Sequence, residues 1–402
     1  MPLANPRYWH DNGEMMQSMQ SARRARDLGW ITEPLLDSGT HNAITDLPGL
    51  LVGHCTLIEG DPGPLSVGAG PVRTGVTAIR PHPGNLFTHK VCAAVHVLNG
   101  FGKTVGFEQV RELGRLETPI LLTNTLNTWR CADYLLDWML QDNPGIGIDT
   151  IGTLNPLVGE TNDGWLNDIQ GRHVGREHVF QALDSARSGP VAEGNVGAGT
   201  GTLCYGFKGG VGTASRVVPA EQASYTVGVL LQSNFGRRQQ LNIRGLPVGK
   251  WLEEREQKQG LRDRGARSGG RAEGGSCMMV VATDAPLSAR QLGRLARRAP
   301  LGLARSGFSS SPGSGDYVIA FSTHQDEPGT DPLHARQERL LDEHRTLGWL
   351  FQGVVEATEE AVLNSLAAAE TLAGRDGHLA QALPQTVIHQ WLAAQNTPRE
   401  AL

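Results

Sequence analysis

A chain of 402 residues with 39% hydrophobic and 19% charged residues can build a sizeable core, which excludes a largely disordered protein. A net charge of −5 with both signs interspersed gives no electrostatic footprint for nucleic acid and no polybasic surface for a membrane, so a small neutral or peptidic partner is expected. The five cysteines are scattered, odd in number and free of C-x-x-C spacing, and the first residues lack the apolar core of a signal peptide; a cytoplasmic protein without disulfides is expected.

The stretch up to about Asp37 is polar and charged, with Met15, Met16, Met19 and Leu28 as its main apolar residues, and reads as a surface helix. From Ala43 the chain turns to short apolar runs punctuated by glycine, at 50–53, 75–79 and 91–97, which read as strands. Between the strands lie helical stretches at 107–113 and 128–140, with apolar residues three and four apart. Residues 201–207 and 225–232 form a second strand group, the latter stopping at Ser233-Asn234. The mixture implies an α/β or α+β layered fold.

Residues 253–275 shift abruptly to Glu, Arg, Lys, Gln and Gly, which predicts an exposed, flexible linker ending in Gly274-Gly275. The apolar run Ser276-Cys277-Met278-Met279-Val280-Val281-Ala282-Thr283 then reads as a buried strand. Further on, 288–298 reads as a helix with Leu292 and Leu295 inward and 317–322 as a strand. Residues 358–372, rich in Ala and Leu with glutamates in the first turn, read as a helix. The 51 glycines exceed the average usage of about 7% and predict tight turns and sites lined by main chain.

A serine at the head of a buried strand, preceded by two glycines and a polar loop, is what a self-cleaving enzyme needs. The glycines permit a strained backbone that exposes the Gly275 carbonyl to the Ser276 hydroxyl. Cleavage would free an α-amino group with a reference pKa of about 7.7–8.0, neutral enough near pH 7 to act as base for its own hydroxyl. By itself Gly-Gly-Ser is more often an ordinary loop.

The surrounding blocks give the serine a context. They are Asn42-Ala43-Ile44-Thr45-Asp46-Leu47-Pro48-Gly49, Val52-Gly53-His54, Arg73-Thr74-Gly75-Val76-Thr77, Thr123-Asn124-Thr125 and Val158-Gly159-Glu160-Thr161. Next come Gly194-Asn195-Val196-Gly197-Ala198-Gly199-Thr200-Gly201, Phe207-Lys208-Gly209-Gly210 and Ser233-Asn234-Phe235-Gly236. Val281-Ala282-Thr283-Asp284-Ala285-Pro286-Leu287 and Gly313-Ser314-Gly315-Asp316 complete the series. Along nearly its whole length the chain resembles the DmpA/BapA-type family of L-aminopeptidase/D-esterases and β-aminopeptidases.

The resemblance implies a four-layer αββα sandwich similar to Ntn hydrolases but with its own connectivity. It implies a single catalytic domain cut between Gly275 and Ser276 into chains 1–275 and 276–402. Ser276 falls on the nucleophile, Ser314 and Asp316 on a serine and an acid that tune it, and Asn234 on an oxyanion-hole asparagine. Glu160 falls on the carboxylate that pairs with the substrate's ammonium. Asn162 stands where a relative carries a tyrosine in the active site, which leaves the second oxyanion donor and the substrate range open. The implied substrates are short peptides, amino-acid amides or esters, and the implied assembly is a tetramer of cleaved heterodimers. An acyltransferase of the ornithine acetyltransferase type is the alternative enzyme, against which Ser276 in place of threonine weighs; an uncleaved, non-enzymatic relative is the other.

Other features are read blandly. The glycines at 197–201 could suggest a dinucleotide site, but a strand is expected after them and no acidic partner sits at the required offset. Lys208 could suggest a Ser-Lys dyad, but is read as a solvated or salt-bridged side chain. His54, His82 and His96 lack metal-ligand spacing, so neither metal nor cofactor is expected.

Overall fold

The computed structural model describes residues 24–148, 152–221, 224–260, 275–325, 327–328, 335–336 and 338–395. Two sheets stack face to face. The first, of order β1-β2-β5-β6, comprises β1 (Leu51–Glu59), β2 (Val72–Arg80), β5 (Ile120–Asn124) and β6 (Leu157–Thr161). The second has order β4-β3-β12-β11-β10-β9. Its strands are β3 (Val91–Gly100), β4 (Arg115–Leu116), β9 (Val211–Pro219), β10 (Ser224–Asn234), β11 (Gly275–Thr283) and β12 (Ser314–Ser322). Two-residue strands β7 (Leu203–Cys204) and β8 (Phe207–Lys208) form a small hairpin beside β10.

Three apolar cores separate four layers. Helices Thr128–Asp142 and Arg176–Asp184 cover the outer face of the first sheet with Cys131, Leu135 and Val179. Helices Arg345–Ala367, Ala289–Ala296 and Ala299–Arg305 cover the second through Leu292, Leu303 and Leu350. Between the sheets Ile79, Leu122, Leu157, Met278, Val280 and Ile319 pack together. This is the αββα sandwich. β11 and β12 are buried along nearly their whole length because they have helices on one face and a second sheet on the other, hence their continuous apolar runs.

Four sequence expectations are corrected. Residues 1–23 of the opening segment lie outside the described residues, but Ala25, Leu28 and Trp30 are buried in turn structure rather than set on a surface helix. Residues 201–207 are a tight hairpin, with Tyr205 at φ +51° and Gly206 at φ +73°, rather than one strand. The expected linker begins inside the helix Val248–Lys258, whose Leu252 packs into the core; 261–274 lie outside the described residues.

The helix expected at 358–372 starts thirteen residues earlier, at Arg345, and ends at Ala367. Its carboxylates are therefore interior: Glu356 accepts from Arg216 Nε at 3.0 Å, and Glu360 from Arg216 and from Arg26 at 2.7 Å each. The helix start is capped from outside by Asp342, which accepts from the N–H groups of Arg345 and Thr346 at 2.9 and 2.7 Å.

Candidate active site

Ser276 is the second residue of β11, flanked by Asn234 of β10 and Gly315 of β12. Met278 lies in the core between the sheets and Cys277 in the core under the helices, so strand alternation turns Ser276 toward the inter-sheet space. Its side chain is buried, and its hydroxyl donates to the Gly275 carbonyl oxygen at 2.5 Å. Hydroxyl and carbonyl of the Gly275–Ser276 junction are thus in direct contact. A Cβ on residue 275 would come within 3.1 Å of Phe235 Cα, so glycine suits this close approach.

Ser314 pairs with Gly275 in the parallel β11–β12 register, and Asp316 with Cys277. Alternation puts both side chains on the helix-side face, opposite that of Ser276, so what they adjoin is the backbone of the junction. Ser314 Oγ donates to Asp316 Oδ1 at 2.7 Å and Ser310 Oγ to Asp316 Oδ2 at 2.6 Å. Burial raises the Asp316 pKa, opposed by these two hydroxyls and by the Cys277 backbone. The Asn99 amide donates to the Ser314 carbonyl and fixes the start of β12.

Asn234 stands directly opposite Ser276 on the same face, where Cβ atoms lie about 4.5–5.5 Å apart. Its Oδ1 accepts from the Leu203 N–H at 3.1 Å, which identifies Nδ2 as the donor end of the amide. Leu203 follows the glycine loop, and that loop is held from inside by Lys208. The Lys208 ammonium is fully buried and donates to the carbonyls of Gly199, Thr202 and Gly209 at 3.0, 3.0 and 2.7 Å. Lys208 is therefore neither solvated nor salt-bridged, and burial lowers its pKa to about 7. Gly197 to Gly199 is a single 3-10 turn pressed on β2 and β9: a Cβ at Gly199 would lie 2.4 Å from Val211 N, and one at Gly201 2.1 Å from Arg73 O. Close main-chain approach accounts for these glycines.

Glu160 sits on β6, at the edge of the first sheet, and is buried. Its carboxylate accepts from Lys103 N at 2.8 Å and from the Thr125 hydroxyl. Burial raises its pKa, while those two hydrogen bonds and the Lys103 charge work against the rise. A Cβ on Gly102 would lie 3.1 Å from Glu160 Oε1 and 3.1 Å from Gly315 Cα, so the carboxylate is one small side chain away from the strand beside Ser276. Asn162, beyond the end of β6, is exposed, and its Oδ1 accepts from Gly164 N at 2.9 Å in a local turn.

With this geometry in place, likeness to known proteins decides the family. Residues 42–380 match peptidase family S58. The chain belongs to that family. The β-peptidyl aminopeptidase BapA of Sphingosinicella xenopeptidilytica is 43% identical over 376 residues, 92% of this chain and 91% of its own. A solved protein of Pyrococcus horikoshii superposes with a TM-score of 0.84 at 46% identity, over 92% of this chain and 99% of that one. The L-aminopeptidase D-Ala-esterase/amidase of Ochrobactrum anthropi, described as a prototype for the serine aminopeptidases and a variant of the Ntn hydrolase fold, superposes at 0.82 with 38% identity. That match covers 93% of this chain and 99% of the other. As an S58 member the chain is a self-cleaving serine aminopeptidase/amidase with this family's sandwich.

Several residues that hydrogen-bond to these side chains and strands were not singled out in the sequence. Thr125 lay in a quoted block without a role, Ser310 in the run Ser309-Ser310-Ser311 ahead of Ser314, and Asn99 two residues past the expected strand 91–97. Hydroxyl and amide residues next to family blocks were the available signal. His54 is half-buried with Nδ1 at 2.9 Å from the Thr77 hydroxyl, and loss of solvation around the ring lowers its pKa to about 4. Among the described residues no three His, Cys, Asp or Glu side chains cluster as metal ligands, and no helix is long and apolar enough to cross a membrane.

Proposed function

We propose that Ser276 is the nucleophile of both maturation and turnover, and that the mature enzyme removes amino-terminal β-residues from short peptides and amides. The observation carrying this reading is the 2.5 Å contact between the Ser276 hydroxyl and the Gly275 carbonyl, with Asn234 opposite. In maturation the Ser276 Oγ bonds to the Gly275 carbonyl carbon and the C–N bond breaks, the hydroxyl proton passing to the departing nitrogen. Water then hydrolyses the ester, leaving a Gly275 carboxylate and the free Ser276 amine and hydroxyl. Asn234 Nδ2 donates to the oxyanion in both reactions, an effect worth about 2.7–4 kcal/mol.

In turnover the substrate ammonium pairs with Glu160 and the carbonyl presents to Ser276, whose own amine serves as base. Ser314 and Asp316 adjoin the main chain where that amine is released, which suits them to hold and polarise it. Asn162, exposed past β6, borders the rest of the substrate. β-Peptidyl relatives at 43% and 44% identity support the β-residue preference. A cytoplasmic location and assembly as a tetramer of heterodimers complete the reading. It is tested with β-alanyl p-nitroanilide: the matured protein should hydrolyse it without an acceptor amine and Ser276→Ala should not. Turnover only with an acceptor would instead indicate an acyltransferase.

A further inference from the structure

The two halves of the proposed site lie on different sheets, Glu160 on β6 and Ser276 on β11, and something must fix their separation. Gln232 lies on β10 two residues before Asn234, opposite Met278, and is fully buried facing the other sheet. Its Nε2 lies 3.1 Å from Thr123 O on β5, 2.8 Å from Thr161 Oγ1 on β6 and 2.8 Å from Ala198 O in the glycine loop. Two N–H groups are shared among three oxygens, and Oε1 has no hydrogen-bond partner among the described residues. The residue is thus used as a donor only.

Its acceptors bracket Glu160: Thr123 is the register partner of Glu160 and Thr161 follows it. Beside the pin the sheets touch directly, since a Cβ on Gly159 would lie 2.2 Å from Met278 Cε. We propose that Gln232 is a positioning residue that sets the spacing between the Glu160 carboxylate and the Ser276–Asn234 pair, and thereby selects the backbone length of the amino-terminal residue. α- and β-aminoacyl groups differ by one backbone carbon between ammonium and carbonyl, a step of about 1.5 Å. The inference rests on the assignment of Glu160 to the ammonium.

Maturation supplies the internal control, because the Gly275–Ser276 junction carries no free ammonium and does not engage Glu160. The experiment uses the full-length chain with Gln232→Met and, separately, Thr161→Val, which removes one acceptor while keeping the side chain's shape. The appearance of the two mature chains is timed, and kcat and KM are measured for the isomers β-alanyl and L-alanyl p-nitroanilide. The expected result is maturation at the wild-type rate with the β-to-α ratio of kcat/KM shifted about 10-fold or more, mainly through KM. An unchanged ratio, or parallel loss of maturation and of both activities, overturns the proposal; if Gln232→Met does not fold, Thr161→Val decides. Glu160→Gln separates the two claims. If it leaves both KM values unaltered, the ammonium assignment fails and the pin with it; if it raises both while the pin variants leave the ratio unchanged, the pin alone fails.

Discussion

Asn234 and Ser276 are register partners across the antiparallel β10–β11 ladder, with side chains on the same face. The donor end of the Asn234 amide is fixed by the Leu203 N–H at 3.1 Å on its oxygen. Preorganisation of this kind matters more for a transition state than for a ground state. Asn234→Ala should therefore lower kcat by about 10²–10³-fold with little change in KM. Maturation should slow as well, visible as persistence of the uncut chain; a variant that matured and turned over normally would remove Asn234 from the oxyanion site.

Glu160→Gln should raise KM about 10- to 100-fold for substrates with a free ammonium, the cost of one charge-assisted hydrogen bond. Self-cleavage should proceed unchanged.

The same carboxylate predicts a pH dependence. Burial holds Glu160 above the usual carboxylate range, against the hydrogen bonds from Thr125 and Lys103 N. Only the ionised form pairs with an ammonium, so KM should climb as the pH falls through that raised value. Steady-state kinetics across the acid range should show the climb in the wild type and a flat profile in Glu160→Gln.

Ser310→Ala removes one of the two hydroxyls that restrain the rise in the Asp316 pKa. The carboxyl should titrate higher still, so the acid limb of the kcat/KM profile should move to higher pH while the basic limb stays. An unmoved acid limb would detach Asp316 from the reaction.

Burial lowers the Lys208 pKa to about 7 in the folded protein, from an ordinary lysine value of 10.5. Between those values the unfolded chain binds the extra proton, so this group's contribution to stability increases as the pH rises. Lys208→Met leaves three carbonyls without their donor, a loss of about 1–3 kcal/mol each where no water replaces it. Denaturant unfolding at pH 7 and pH 9 should show the wild-type advantage over the variant widening with pH; a narrowing would contradict the buried, easily deprotonated lysine.

The head of β11 was legible because the ten residues from Gly274 to Thr283 carry their own signal: a glycine pair, then a mainly apolar run of the kind a doubly covered strand needs. The short helix Phe107–Leu113 was equally legible from its apolar spacing. What escaped depends on partners remote in sequence. Thr125 reaches Glu160 only because β5 and β6 pair in parallel, and Gln232 reaches Thr161 only because the sheets stack. Lys208 was misjudged because its partners are three backbone carbonyls, which leave no trace in residue types. Glu359 and Glu360 resembled first-turn acids until Arg305 proved to lie beside the first and Arg26 and Arg216 beside the second, and Asp342 was the overlooked start signal.

Intact-mass analysis of the purified full-length protein and its Ser276→Ala variant tests the role of Ser276 most directly. The wild type should give two chains, ending at Gly275 and beginning at Ser276, and the variant a single chain of 43.2 kDa. A wild type that stays whole while folded and active, or a Ser276→Ala protein that is still cut at that bond, would contradict the account.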